Sequence, residues 1–229
     1  MPAVPRPSLL DELRQKSDAL RAHETAARLP VDRARHEIDS RLWRAFRWLD
    51  EAVGHLDVIR PDVSHQFRLG DLLVFDRPRF DGGFMSFRRR GLATSEGLEY
   101  VEMYYRLTGP RPFVVRVNPL AATGVEERLR ASTLQFRYET EQDEQKVVRQ
   151  GVFHVEAAIA ASVRFQPDYR RQVINVTLRN VDRFESVLLE FEPRRIDEPA
   201  LEDLVRFVLG ETHAFLHRAP LAYVNSQRA

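Results

Sequence analysis

The chain contains no cysteine. Disulfides, thiolate metal sites and cysteine nucleophiles are therefore excluded at the outset. Lysine is nearly absent as well: Lys16 and Lys146 stand against 33 arginines. Arginine suits bidentate recognition of phosphate and carboxylate. Here, however, the arginines are spread along 229 residues whose formal net charge is only +1. That balance gives no whole-protein field to attract a polyanion. An excess of arginine, alanine and proline codons fits GC-rich coding, so a bacterial origin is expected. No run approaches the roughly 18 apolar residues of a membrane span. The stretch MPAVPRPSLLDELR also lacks the apolar core of a signal peptide. A cytoplasmic, reducing setting is the expectation.

Catalytic signatures are missing too. There is no G-x-S-x-G elbow, no G-x-x-x-x-G-K-[ST] loop and no G-x-G-x-x-G turn. Adjacent carboxylates occur at Glu126–Glu127 and Glu202–Asp203. Neighbours in sequence do not face one another on a helix, so neither pair makes a shared site. No cofactor is implied, and nothing nominates a nucleophile with its base.

What the sequence does have is patterning. In residues 153–165, FHVEAAIAASVRF, every odd position is apolar. A period of two predicts one long strand with a buried and a wetter face. Such a strand belongs to an antiparallel sheet, since parallel strands read as continuous apolar runs.

Ser8 with Asp11 suggests a helix start. Leu10, Leu13, Leu20 and Ala27 then share one stripe. Leu29–Pro30 is read as a break. A second helix carries Ile38, Leu42, Ala45, Leu49, Ala52 and Leu56 in steps of four and three, widened by Trp43, Phe46, Trp48 and Val53. The two helices are expected to form an antiparallel hairpin over residues 1–60. Its wide apolar face needs a cover, either the sheet or a second copy of the chain.

The period changes to two from about residue 65. Phe67, Leu69, Leu73 and Phe75 suggest a first strand, and Asp81-Gly82-Gly83 a turn before a short strand Phe84–Arg88. Val101, Met103, Tyr105 and Leu107 mark the next, joined through Gly109 and Pro110 as a hairpin to Phe113–Val117. Residues 119–131 suggest a crossover helix. Strands follow at Leu134–Tyr138, through the long strand, at Ile174–Leu178 and at Val187–Phe191. Asp197 and Pro199 open a C-terminal helix, 197–218, that Gly210 ends or kinks. The fold class expected is α+β in a single domain: a large antiparallel sheet of about eight strands over 65–193, packed on the N-terminal helical hairpin and the C-terminal helix.

Four constellations are candidates for a site. His213 and His217, four apart, share a face on a continuous helix and could begin a metal site with Glu211, His55 or His65. Tyr100, Glu102, Tyr104 and Arg106, together with His154, Glu156, Asn175, Thr177 and Arg179, lie on the polar faces of their strands. If the sheet curves, Tyr100, Tyr104, His154 and Glu156 could bind a small molecule. Arg77, Arg79, Arg88, Arg89 and Arg90 flank the Asp81-Gly82-Gly83 turn among Phe80, Phe84 and Phe87, an anion-binding or single-stranded nucleic-acid pattern. Trp43 and Trp48 are candidates for a partner-binding surface.

The functional expectation is a non-catalytic protein-interaction or self-assembling module. The alternatives are a small-molecule binder or modest enzyme on the polar sheet face, and an anion or nucleic-acid binder at 77–90.

Overall fold

The computed structural model describes residues 9–91 and 97–226. Ser8 lies outside these residues, as do the side chains of Asp11 and Ala27. The architecture is α+β and dominated by antiparallel sheet.

Helix α1 runs unbroken from Leu9 to Ile59, so the expected hairpin is replaced by one long helix. A proline inside a helix costs about 3 kcal/mol. Here Leu29–Pro30 has no glycine or turn dipeptide beside it, and the flanking residues are strong helix formers such as alanine, arginine, leucine and glutamate. The helix therefore continues through the position.

Its C-terminal half buries Ile38, Leu42, Ala45, Leu49, Val53 and Leu56. These pack on strands β3 (Arg79–Arg89) and β4 (Leu98–Thr108), so the sheet covers that stripe. Among the described residues, the N-terminal half has no such cover. Leu9, Leu13 and Leu20 are 73%, 55% and 65% exposed.

Strands β1 (Gln66–Leu69) and β2 (Leu73–Asp76) form a two-stranded ribbon where one strand was expected. Gly70, at φ 51°, turns the chain between them while Phe67, Leu69, Leu73 and Phe75 all stay buried. The main sheet has the order β11-β10-β9-β8-β4-β3, all antiparallel. It comprises β3 and β4 with β8 (Ala158–Asp168), β9 (Val173–Arg179), β10 (Glu185–Phe191) and β11 (Leu221–Ser226). A smaller sheet, ordered β5-β7-β6, contains β5 (Phe113–Val117), β6 (Phe136–Gln142) and β7 (Val148–Val155). Helix α2 (Ala122–Ala131) sits between β5 and β6 in the chain, where the crossover helix was expected.

The inner face of the main sheet follows the odd positions of β4 and β8, with Val101, Met103, Leu107, Ile159, Val163 and Phe165 buried. Helix α3 (Glu198–Leu209) packs there beside α1 through Leu201, Leu204, Phe207 and Val208. Asp197 caps it by accepting the Ala200 N–H at 3.0 Å. Gly210, left-handed at φ 72°, ends it.

Three further expectations are corrected. Asp81-Gly82-Gly83 is not a turn but a bulge inside β3, where the register with β4 shifts between Phe80 and Gly83. A Cβ on Gly83 would lie 2.9 Å from the Tyr104 carbonyl oxygen and 3.1 Å from Val53, so glycine here lets α1 close on the sheet. The segment Phe113–Val117 pairs with β7 and not with the preceding strand. The long strand 153–165 is divided at Glu156–Ala157 into β7 and β8, which belong to different sheets. The alternation carries across that step without losing parity, so the apolar period could not reveal it. A last strand, β11, was not expected.

Candidate functional site

The polar face of the main sheet is built by the even positions. Register places Glu102 opposite Arg164 and Tyr104 opposite Ser162, with Thr177 and Arg179 across β8. Glu102 is only 3% exposed. Its Oε2 accepts from Arg164 Nε at 2.8 Å and from the Tyr104 hydroxyl, and the Arg164 guanidinium lies 4.6 Å from the centre of the Tyr100 ring. The bond to Glu102, followed by burial, raises the Tyr104 pKa and keeps its hydroxyl a donor.

A groove of about 690 Å³ follows this face, bordered by Glu102, Arg164, Gln166, Arg179, Asn180 and Glu185 among others. Burial raises the Glu185 pKa above the ordinary value of 4.5. Thus Tyr100, Glu102, Tyr104, Thr177 and Arg179 come together as the polar pattern suggested.

His154 and Glu156 do not join them. His154 is on β7, in the small sheet opposite Val114 and Arg137, and lies 3.5 Å from Glu139. Glu156 is exposed in the step between sheets. Arg164, Gln166 and Asn180 belong to the groove and were missed. Arg164 and Gln166 were recoverable from parity once β8 was paired with β4 and β9. Asn180 was not, because it projects from the turn after β9.

The histidine pair loses its helical premise. Gly210 ends α3 before either residue, and His217 belongs to a separate short 3₁₀ turn. His213 stacks on Phe207 with ring centres 4.3 Å apart, and its Nδ1 accepts the Phe215 N–H at 3.2 Å. Among the described residues, no three His, Asp or Glu side chains are placed to hold a metal.

Burial lowers the His213 pKa below its ordinary value of 6.5, and Asp203 opposes that shift while His65 and His217 reinforce it. The folded state therefore binds fewer protons than the unfolded state as pH falls below 6.5. Stability contributed by neutral His213 is intact above that value and is lost as pH falls toward and through the lower native value. Substituting His213→Gln is expected to flatten the fall in stability below pH 6.5, read by urea unfolding at a series of pH values.

The arginine cluster is divided by the length of β3. Arg77 and Arg79 lie at its start, where Arg79 Nε donates to the Arg60 carbonyl oxygen at 2.9 Å. Arg88, Arg89 and Arg90 lie at its far end, about 30 Å away at 3.3 Å per residue. Arg88 pairs with Glu99 at 3.0 Å.

Arg89 approaches the Trp43 ring at 5.8 Å, while Trp43 packs edge-on against Phe46 and Phe87. Two candidates drawn from separate patterns, Trp43 and Arg89, thus meet in one cleft between α1 and the end of the β3–β4 pair. Trp48 does not line it, though like Trp43 it packs against the core.

The N-terminal half of α1 offers a different surface. At 100° per residue, Leu9, Leu13 and Leu20 continue the same helix face that Ile38, Leu42 and Leu49 bury against the sheet. Beyond the sheet, Leu9, Leu13 and Leu20 leave that face exposed. Arg14 and Arg21 flank it on one side and Lys16 on the other.

No protein-family model matches the chain, and no curated protein or solved structure matches it either. Functional inference therefore rests on these surfaces.

Proposed function

We propose that the protein is a non-catalytic interaction module that docks an acidic amphipathic helix of another protein on the N-terminal half of α1. The observation that carries this reading is the exposure of Leu9, Leu13 and Leu20 on the helix face that Ile38, Leu42 and Leu49 bury further along the same helix. Covering a leucine side chain is worth roughly 1.5–3 kcal/mol, so the stripe of Leu9, Leu10, Leu13 and Leu20 has several kcal/mol available to a partner.

Charge selects the partner. An antiparallel second copy centred on the stripe would bring Lys16 beside Lys16 across the seam. Like charges so placed oppose pairing by a few tenths of a kcal/mol each. Glutamates flanking a leucine seam would reverse that sign.

The test is sedimentation velocity of the full chain with two synthetic helical peptides. They share one leucine seam and differ in carrying glutamate or lysine on its flanks. The glutamate peptide is expected to bind, the lysine peptide not, and the chain alone to sediment as a monomer. The double substitution Leu13→Asp/Leu20→Asp should abolish binding without moving the thermal midpoint. A chain that self-associates alone, and is dispersed by that double substitution, would make the occupant a second copy. A monomer that binds neither peptide refutes the reading.

A further inference from the structure

The cleft holding Trp43 encloses about 480 Å³ and is lined by His36, Asp39, Ser40, Trp43, Arg47 and Arg89, with Gly97 and Leu98 at its end. Its size is that of small-molecule sites, which run from about 300 to 1,000 Å³. Arg35 and Arg90 each place a guanidinium 5.2 Å from the centre of the Tyr169 ring. Tyr169 is tied to the cleft because its hydroxyl donates to Asp39 Oδ1 at 2.5 Å, with the Leu98 carbonyl oxygen 2.9 Å away.

Arg47 and Arg89 line the cleft, while Arg35 and Arg90 gather on Tyr169 beside it. Among the described residues, none of the four has a carboxylate within ion-pair distance. Their neighbours do: Arg88 pairs with Glu99 and Arg194 with Glu37, each at 3.0 Å. The acid within the cleft, Asp39, is already engaged, accepting the Leu98 N–H at 3.1 Å as well as the tyrosine hydroxyl.

Arginines gathered at a cleft raise the local concentration of anions there. Guanidinium forks match phosphate oxygens two at a time. An indole beside them is the kind of surface on which bases stack. A carboxylate alone would satisfy one fork and leave the aromatic wall without a role.

We infer that this cleft binds a nucleoside phosphate, with Arg47 and Arg89 on the phosphate and Trp43 against the base. The same chemistry is offered by a free nucleotide and by an exposed nucleotide of a single strand. This site is separate from the exposed stripe of α1, and either assignment stands if the other fails.

The experiment titrates the full chain with three probes: ADP, inorganic tripolyphosphate and a short fluorescein-labelled oligothymidylate. Tryptophan fluorescence reads the first two and anisotropy the third. ADP or the oligonucleotide is expected to bind, and affinity is expected to weaken as salt rises. Binding of the oligonucleotide alone identifies a single strand as the source; binding of ADP alone identifies the free nucleotide. The double variant Arg47→Gln/Arg89→Gln should weaken either by about tenfold or more, with circular dichroism and thermal midpoint unchanged.

Calorimetry on Trp43→Phe separates the ring from the charges. It should lower affinity for ADP or the oligonucleotide and leave tripolyphosphate unaffected. Three results overturn the assignment: no saturable binding of any probe, binding untouched by the arginine pair, or tripolyphosphate binding as tight as the nucleotide and insensitive to Trp43→Phe.

Discussion

Replacing Leu49 by alanine is expected to cost about 3 kcal/mol of folding stability, within the range for burying and then deleting a leucine side chain. Leu49 is fully buried in the stripe that α1 lays on β3 and β4. The cost joins lost transfer energy to an unfilled cavity. For a chain of this size it corresponds to a fall of about 6–12 °C in thermal midpoint.

Leu13→Ala is the matched control. Leu13 lies on the same helix face but is 55% exposed, and the change should leave stability within about 0.5 kcal/mol. Urea unfolding of the two variants checks the contrast. Equal effects would mean that the two halves of α1 are not divided between packing and docking.

Arg164→Ala is expected to be comparably severe, at about 3 kcal/mol. The Glu102 carboxylate is removed from water by the strands and rings around it and is held by Arg164 and Tyr104. Without the guanidinium the carboxyl keeps only the Tyr104 hydroxyl, and breaking a buried pair from one side typically costs about 3–5 kcal/mol. The side chain of Arg164 is partly exposed, so water relieves some of that cost. Replacing both partners, as in Glu102→Leu/Arg164→Leu, should cost less than Arg164→Ala, because no orphaned charge remains. Chemical denaturation of the variants forms the cycle. A double variant less stable than Arg164→Ala would show that the pair matters through shape or through Tyr104 rather than through charge.

Legibility in the sequence divided along physical lines. Period-two alternation placed the buried faces of β4, β8, β9 and β10, because side-chain direction depends only on local backbone. The same alternation concealed the division at Glu156–Ala157, since a change of sheet that keeps parity leaves no trace in the pattern. Pro30 misled because a breaker residue reports a local cost, while the helix sums many favourable residues around it. Asp81-Gly82-Gly83 misled for the opposite reason: its glycines serve the approach of α1, a contact from a distant part of the chain.

The sites were less legible than the fold. Glu102 and Tyr104 were visible as one polar face, yet their partner Arg164 depended on strand register. Trp43 and Arg89 were each singled out but in different roles, and only the packing of α1 on β3 joins them. Arg35 and Tyr169, 134 residues apart in the chain, meet in a contact that no spacing rule anticipates.

The most direct measurement is amide hydrogen exchange on the full chain, alone and with the glutamate-flanked peptide. Docking on the exposed stripe predicts new protection confined to about residues 9–31, with the already protected stretch 38–56 unchanged. Protection arising elsewhere, or none under conditions of saturating peptide, would contradict it.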